Sequence, residues 1–351
     1  MKILAPINSI QDVLPVIKAG ANELYCGIIP KEWRNAYNTV VSPNRREWIS
    51  ANITDYKQLE EIVLLAHQKN VRVFLTLNAL YINSQDYLLE QIIKEAVKCK
   101  IDAFIVADIG LVFKLKQMNI KQEIHISTGG TVFNSETAKF YESLGVQRIA
   151  FPRHVQPKEM EKIIKSTKNI KYEVFILNSG CKNIDGYCTF LHGVQEQKNL
   201  FFWKYLKKAN FDRFFFKMLN LLPQKFIKTL NFSCLQVDSP CIMKYNFDIR
   251  PKRADLKTDI LKENLKSYFS IMSGMDPCGV CRIKDFKAIG IESLKIVGRN
   301  YSTNKKIVDI MFVKDILDKT NIDVCEFNSC VKKLYKYYYK ADCKNICYYP
   351  I

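Results

Sequence analysis

The chain of 351 residues is long enough for one large domain or two ordinary ones. Apolar residues make up 48% and charged residues 25%, a globular composition that excludes collagen-like and low-complexity chains. No apolar run approaches the roughly 18 residues of a membrane-spanning helix, so we expect no transmembrane segment. Pro6 interrupts the first apolar run too early for a signal peptide, and we expect a cytoplasmic protein.

The net charge is +18, from 53 Lys and Arg residues against 35 Asp and Glu residues. Such a balance favours RNA, an anionic membrane surface or acidic small molecules as partners. The general basicity of a lysine-rich proteome explains the charge equally well. The charge alone therefore selects no partner.

Eight short apolar runs along the chain are typical of strands buried on both faces. They are Lys2–Pro6, Glu23–Ile28, Val71–Asn78, Ala103–Asp108, Glu123–Thr128, Arg148–His154, Tyr172–Asn178 and Ser293–Arg299. Helical patterns separate most of these runs. In the helix predicted over Tyr56–Lys69, Leu59, Ile62 and Ala66 recur at helical spacing, and Thr54 or Asp55 is the predicted amino-terminal cap.

This alternation predicts an α/β fold, a (β/α)8 TIM-type barrel with a large insertion after strand seven. A doubly wound open sheet is the alternative, which the lack of a GxGxxG motif after the first strand disfavours. We expect barrel strands one to seven in residues 1–180 and a Cys-containing basic and aromatic insertion in 181–277. The last helix and strand of the barrel follow in 278–320, and a Cys- and Tyr-rich tail in 321–351.

Chemistry in such a barrel occurs where the strands end. Polar residues at these positions are Asn78, Asp108, His125, Ser127, Thr128, Arg153, His154, Asn178 and Arg299. We expect Asn78, Asp108 and His125 to be catalytic, with His125 or Asp108 moving protons. We expect Arg45, Arg46, Arg153, Lys295 and Arg299 to bind substrate, because Arg side chains hold carboxylates or phosphates through paired hydrogen bonds. Loop capping and a solvated charge cluster are the alternatives.

Ten of the twelve cysteines are clustered in sequence. Cys181 and Cys188 form a C-x6-C pair, Cys234 and Cys241 a second one, Cys278 and Cys281 a CxxC motif, and Cys325, Cys330, Cys343 and Cys347 follow in the tail. Thiolates suit iron–sulfur clusters or structural zinc, and the spacing does not choose between them. Four cysteine ligands complete a closed metal site, whereas three leave one position of a cluster free to bind substrate. Unligated buried thiols are the alternative, and the tail cysteines are candidates for a second metal site.

Several stretches resemble peptidase family U-32, also described as collagenase-like peptidases. They are Ile3–Pro6, Ala19–Gly27, Val71–Asn78, Ala107–Gly110, His125–Thr128, Cys181 with Cys188, and Cys278 followed by Gly290–Arg299. The resemblance implies a barrel with a four-cysteine 4Fe–4S cluster, zinc being the alternative cofactor. Cys181, Cys188 and Cys278 match ligand positions of the family, and Cys241 is our choice for the fourth. Cys234 and Cys281 are the other candidates.

The resemblance also implies oxygen-independent hydroxylation, or a related modification, of an RNA base or a small aromatic ring. Prephenate is the implied oxygen source, and its two carboxylates would suit Arg45, Arg46, Arg153 and Arg299. A peptidase is the second hypothesis, although no HExxH or GxSxG motif occurs. A zinc-stabilised RNA-binding accessory protein is the third.

The insertion contains the aromatic and basic stretch Leu200–Phe216. Lysines attract phosphates, and aromatic rings can stack on unpaired bases. The main alternative is an amphipathic helix whose aromatic face packs on the barrel, and contact with a membrane surface or a protein partner is a further alternative.

Overall fold

A computed structural model describes residues 1–37, 42–46, 49–181, 184–187, 276–343 and 346–349. Most of the predicted insertion therefore lies outside the described residues, including the ligand candidates Cys188, Cys234 and Cys241 and the stretch Leu200–Phe216.

Eight parallel strands form a closed barrel in which each strand pairs with its neighbours in chain order. They are β1 (Lys2–Pro6), β2 (Glu23–Gly27), β3 (Arg72–Leu77), β4 (Ala103–Val106), β5 (Glu123–Ile126), β6 (Arg148–Ala150), β7 (Lys171–Leu177) and β8 (Ser293–Ile296). Strand β1 pairs with both β2 and β8, which closes the sheet. The predicted TIM-type barrel is confirmed, and the open sheet is wrong.

Helices surround the barrel in the described part of the chain. They are α1 (Ile10–Ala19), α2 (Lys31–Tyr37), α3 (Tyr56–His67), α4 (Asp86–Lys98), α5 (Ile109–Gln117), α6 (Ser135–Ser143), α7 (Pro157–Lys165), α8 (Ile283–Ile289), α9 (Thr303–Asp318) and α10 (Val324–Tyr339). The side chain of Asp55 accepts a hydrogen bond from the backbone nitrogen of Gln58, which makes it the predicted cap of α3. None of the described helices has the length and apolar character needed to cross a bilayer.

The predicted amphipathic pattern is seen in α3, where Leu59, Ile62 and Ala66 are buried. Burying a Leu or Ile side chain contributes about 1.5–3 kcal/mol, so this stripe accounts for the docking of α3 on the sheet. After β8, Phe312 of α9 packs against the ring of Tyr339 of α10 at 5.3 Å between centroids. This contact brings the carboxyl-terminal part of the chain back to the barrel.

Charged side chains occupy part of the barrel interior. Arg148 at the start of β6 donates two hydrogen bonds to the carboxylate of Glu23 on β2, at 2.6 and 2.8 Å. The ammonium of Lys295 on β8 lies 2.9 Å from a carboxylate oxygen of Glu173 on β7. The layer that includes Leu4, Tyr25 and Phe74 is apolar or aromatic. Because barrel interiors are usually filled by branched apolar side chains, this ion network is an unusual way to pack one.

Candidate active site

Arg299 follows β8 and links this strand to β3 and to the loop after α2. Its guanidinium donates to Oγ1 of Thr76 at 3.0 Å and to Oδ1 of Asn44 at 2.9 Å. A Cβ atom on Gly27 would lie 1.8 Å from Nη1 of Arg299, so this position at the end of β2 must be glycine. The predicted substrate-binding Arg299 is therefore at the mouth, buried and oriented by neighbouring side chains.

Arg153 follows β6 and is fixed from several sides. It forms an ion pair with Asp185, and its backbone nitrogen donates to the same carboxylate at 2.9 Å. Its guanidinium carbon lies 4.4 Å from the centroid of the Phe175 ring, and its side chain also hydrogen-bonds to Tyr348. The Nε atom of Arg153 is buried without a hydrogen-bond partner among the described residues.

Lys295 approaches the same aromatic ring from inside the barrel. Its ammonium lies 5.9 Å from the Phe175 centroid and 4.4 Å from that of Tyr25. Burial lowers the pKa of Lys295, and the neighbouring Glu173 carboxylate counteracts this shift. Two predicted substrate-binding cations, Arg153 and Lys295, thus converge on Phe175.

Arg45 and Arg46 lie in the loop that follows β2 and α2. Nη1 of Arg45 would be 3.0 Å from a Cβ atom on Gly129, so Arg45 reaches the turn after β5. The carbonyl of Arg46 accepts a hydrogen bond from the amide of Asn52 at 2.7 Å. Arg46 and Arg299 both act electrostatically on the buried phenol of Tyr25. The predicted arginines are therefore distributed around one mouth.

Asn78 and Asp108 both lie where the sequence predicts them. The amide nitrogen of Asn78 lies 3.2 Å from Oγ of Ser127, and its Oδ1 atom is buried without a partner in the described part of the chain. Asp108 caps α5 by accepting from the backbone of Gly110 at 2.7 Å, and it accepts from the backbone of Tyr81 at 3.0 Å. A capping role for Asp108 is therefore visible, while the proton-transfer role stays a prediction.

His125 lies deeper than predicted. Strand β5 ends at Ile126, and the imidazole of His125 is 2% exposed inside the barrel. Its Nε2 atom is 2.8 Å from a carboxylate oxygen of Glu123, and its ring meets that of Phe74 edge-on at 4.7 Å. Burial lowers the pKa of His125 to about 4, although Glu123 opposes this shift, so the imidazole is neutral at pH 7. Its catalytic role stays a prediction.

Two of the four predicted cluster ligands lie in the described residues. Cys181 follows the end of β7 and is near enough to Arg153 to act on it electrostatically. Cys278 pairs with Leu177, the last residue of β7. Both cysteines are therefore at the carboxyl end of one strand, which fits a thiolate-bound group at the mouth. Among the described residues, no three His, Cys, Asp or Glu side chains are positioned to hold a metal ion.

The tail of the chain also contributes to the mouth, which the sequence did not predict. The hydroxyl of Tyr348 donates to the carbonyl of Asn178, and that of Tyr349 donates to the carbonyl of Phe175 at 3.0 Å. Asn178 has a left-handed backbone with φ of 67°, which turns the chain after β7. The adjacent tyrosines beside Cys347 were the only sequence signal for this docking.

Comparison with known proteins identifies the same family that the sequence motifs resemble. The profile of Peptidase family U32 matches residues 8–199 and 231–347. The tRNA hydroxylation protein P of Helicobacter pylori is 28% identical over 188 residues, 54% of this chain and 42% of that protein. A collagenase of Porphyromonas gingivalis is 28% identical over 140 residues, 40% of this chain and 30% of that protein.

The solved structure of the U32 peptidase Mk0906 aligns with 85% of this chain and 93% of its own, at 12% identity and a TM-score of 0.41. The chain spans less than half the length of the Helicobacter and Porphyromonas relatives.

Proposed function

The chain belongs to peptidase family U32, and we propose that it is an iron–sulfur enzyme that modifies an RNA base or a small aromatic ring by hydroxylation or a related reaction. The observation that carries the proposal is the convergence on Phe175 of Arg153, which follows β6, and Lys295, which lies in the barrel interior. A relative that covers 54% of the chain is a tRNA hydroxylation protein, which supports RNA as the substrate.

The cations of the mouth would bind the anionic parts of the substrates. Arg153 is held by Asp185 and Tyr348, so its guanidinium is oriented before any ligand arrives, and its buried Nε is a donor without a partner among the described residues. Arg45 lies across the mouth beside the turn after β5. Arginines arranged in this way suit RNA phosphates or a dicarboxylate such as prephenate.

His125 is our candidate for proton movement. With a pKa of about 4 it is neutral at pH 7, the form that can accept a proton. Its Nδ1 atom has no hydrogen-bond partner in the described structure, whereas both carboxylate oxygens of Asp108 accept backbone hydrogen bonds. A proton reaching Nδ1 would be stabilised through Glu123 on the opposite nitrogen.

The cofactor in this proposal is a 4Fe–4S cluster held by Cys181, Cys188, Cys241 and Cys278. Bound at the mouth, such a group supplies Lewis-acid or electron-transfer chemistry. The half-buried thiol of Cys181 beside Arg153 supports a ligand at this position.

The test starts from protein purified without oxygen. Iron, sulfide and zinc are measured with the absorption spectrum, and nucleosides from RNA of cells with and without the gene are compared by mass spectrometry. We expect about four iron and four sulfide per chain, lost in Cys181→Ala, and one hydroxylated nucleoside that disappears without the protein. Cys325→Ala, which removes an exposed thiol on α10, is the matched control.

Zinc alone, or no iron after anaerobic reconstitution, would contradict the proposal. Metal-independent cleavage of peptides that is lost in Cys181→Ala would favour the peptidase hypothesis, to which the similarity to a collagenase points. Stoichiometric zinc with salt-sensitive RNA binding and no modified nucleoside would favour the accessory RNA-binding protein.

A further inference from the structure

Helix α10 has one face packed on the rest of the protein and one face exposed to solvent. Phe327 and Val331 are buried, and the ring of Phe312 on α9 contacts those of Tyr335 and Tyr339. The exposed face carries residues that are one and four positions apart, which lie side by side on a helix. We call it the basic stripe, and it consists of Lys332, Lys333, Lys336, Tyr337 and Lys340, the residue directly after α10.

The lysines of the basic stripe lack the acidic neighbours that lysines on other helices have. Exposed lysines elsewhere pair with a glutamate three or four residues earlier in the same helix; they are Lys98, Lys139, Lys162 and Lys165. In α10 the positions three and four residues before the first two lysines hold Asn328, Ser329 and Cys330. Lys336 pairs with the exposed Asp342 at 3.1 Å, and the other three lysines form no ion pair within the described residues. The protein therefore balances the charge of the stripe only in part.

The basic stripe also places like charges next to each other. Lys332 and Lys336 are four residues apart, as are Lys336 and Lys340. Like charges at this spacing disfavour a helix, because the two ammonium groups repel each other. The ammonium of Lys340 lies 4.9 Å from the centroid of the Tyr337 ring, and Tyr337 is 65% exposed. A polyanion along the stripe would relieve the repulsion and would meet an exposed aromatic ring.

The basic stripe leads to the mouth of the barrel. The hydroxyl of Tyr339, in the last turn of α10, donates to a carboxylate oxygen of Asp309 at 2.7 Å. The other oxygen of that carboxylate accepts a hydrogen bond from the amide of Asn178, directly after β7, at 2.8 Å. The carboxyl end of α10 is thus two hydrogen bonds away from the strand end that Cys181 follows. A ligand lying along the stripe would point toward the proposed active site.

We propose that the basic stripe binds the phosphate backbone of a single-stranded segment of the substrate RNA and guides it toward the mouth. The inference rests on the proposed function, which names RNA as a substrate class, and adds where the RNA lies outside the active site. From Lys332 to Lys340 the stripe is about 12 Å long at 1.5 Å per residue, whereas the phosphates of one strand follow each other at about 3.4 Å along a duplex axis. Lysines bind phosphates as point charges, and an exposed tyrosine can stack on an unpaired base.

The packing of α10 favours RNA over a membrane surface. An amphipathic helix binds a membrane by inserting its apolar face into the lipid. That face of α10 is already packed, since Phe327 and Val331 are buried and Tyr335 contacts Phe312. The basic stripe itself offers ammonium groups and the ring of Tyr337, an arrangement that suits a chain of phosphates and bases.

The experiment measures how tightly the full-length protein binds a labelled single-stranded RNA oligonucleotide of mixed sequence, between about 50 and 200 mM salt. The stripe variant is Lys332→Gln/Lys333→Gln/Lys336→Gln. It should bind more weakly than the wild type. It should also lose about 20-fold less affinity over this salt range, because three phosphate contacts to a single strand contribute a slope of about −2.

The matched control is Lys98→Gln/Lys162→Gln/Lys165→Gln, which removes the same charge. These lysines lie in the last turns of α4 and α7, at the end of the barrel opposite the mouth, and are paired with glutamates. The control should bind RNA as the wild type does. Equal affinity and salt dependence in the stripe variant and the control would overturn the proposal, as would a wild type that does not bind the oligonucleotide.

A second variant tests the aromatic part of the stripe. Tyr337→Leu should lower the affinity for the oligonucleotide about tenfold and leave the salt dependence unchanged, because stacking involves no released counterion. Tyr87→Leu, which removes an exposed ring from α4 across the barrel, is its control and should bind normally. Vesicles that contain phosphatidylserine provide the membrane arm. Vesicle binding that is lost in the stripe variant, with RNA binding unchanged, would assign the stripe to a membrane and overturn the proposal.

Iron content and nucleoside analysis separate this proposal from the proposed function. RNA binding that depends on the stripe, in a wild type that holds no iron and yields no hydroxylated nucleoside, would refute the proposed reaction alone. A hydroxylated nucleoside that the stripe variant produces as fast as the wild type, with unchanged RNA affinity, would refute the docking surface alone.

Discussion

The ion network inside the barrel gives the sharpest prediction of stability. Arg148 is 1% exposed, as is Glu23, and the two are joined by two hydrogen bonds. In Arg148→Met the carboxylate of Glu23 stays buried without its bidentate partner. Breaking a buried pair in this way costs about 3–5 kcal/mol, a large part of the roughly 5–15 kcal/mol that stabilises a domain. Urea unfolding followed by circular dichroism measures the loss.

Two comparisons make this prediction specific. Glu23→Gln/Arg148→Met removes both charges, so it should be more stable than Arg148→Met alone. Lys165→Met breaks the exposed pair with Glu161 and should cost less than about 0.5 kcal/mol. A loss of less than about 1 kcal/mol in Arg148→Met would contradict a stabilising role of this ion pair, as would a double variant that is the least stable of the three.

Three other perturbations test the mouth and its surroundings. Burial lowers the pKa of His125 to about 4, so the unfolded chain binds a proton on this side chain at a higher pH than the folded protein does. The free energy of unfolding should therefore fall by up to about 3 kcal/mol as the pH is lowered from about 6.5 to 4. The unfolding of His125→Gln, measured over the same pH range, should lack this loss. Gly27→Ala should displace Arg299 and cost about 1–3 kcal/mol in thermal unfolding, and an unchanged transition would contradict the packing. Tyr348→Phe removes a buried hydroxyl and should cost about 1–2 kcal/mol in urea unfolding, against no change for the exposed Tyr187→Phe.

The barrel could be predicted from the sequence because its parallel strands are buried on both faces. Runs such as the one at Val71–Asn78 are then apolar almost throughout, and the intervening helical patterns fix the connections. Strand ends were harder to predict. The run Glu123–Thr128 contains both β5 and the turn after it, so His125 looked like a rim residue although it lies inside the barrel. An error of two residues in the predicted end of a strand is enough to assign an interior side chain to the rim of the barrel.

The partners of the site residues could not be predicted. Arg299 donates to Asn44, which is 255 residues away in the chain, and Tyr348 donates to Asn178 across 170 residues. No local pattern encodes such pairs, because they depend on how the whole barrel closes. The residues after the predicted strands and the clustered cysteines predicted a basic mouth with thiols, and only the fold reveals that Asp185 and Tyr348 orient Arg153.

The docking of the tail on β7 has a consequence for synthesis of the protein on the ribosome. Strands β1 to β7 emerge early, but β1 cannot complete its pairing until β8 follows, and Tyr348 emerges later still. The mouth is therefore assembled only after Tyr348 has been synthesised, from contacts between distant parts of the chain. Such contacts form slowly and leave apolar strands exposed in the meantime. We expect the nascent chain to depend on chaperones until Tyr348 and Tyr349 have left the exit tunnel.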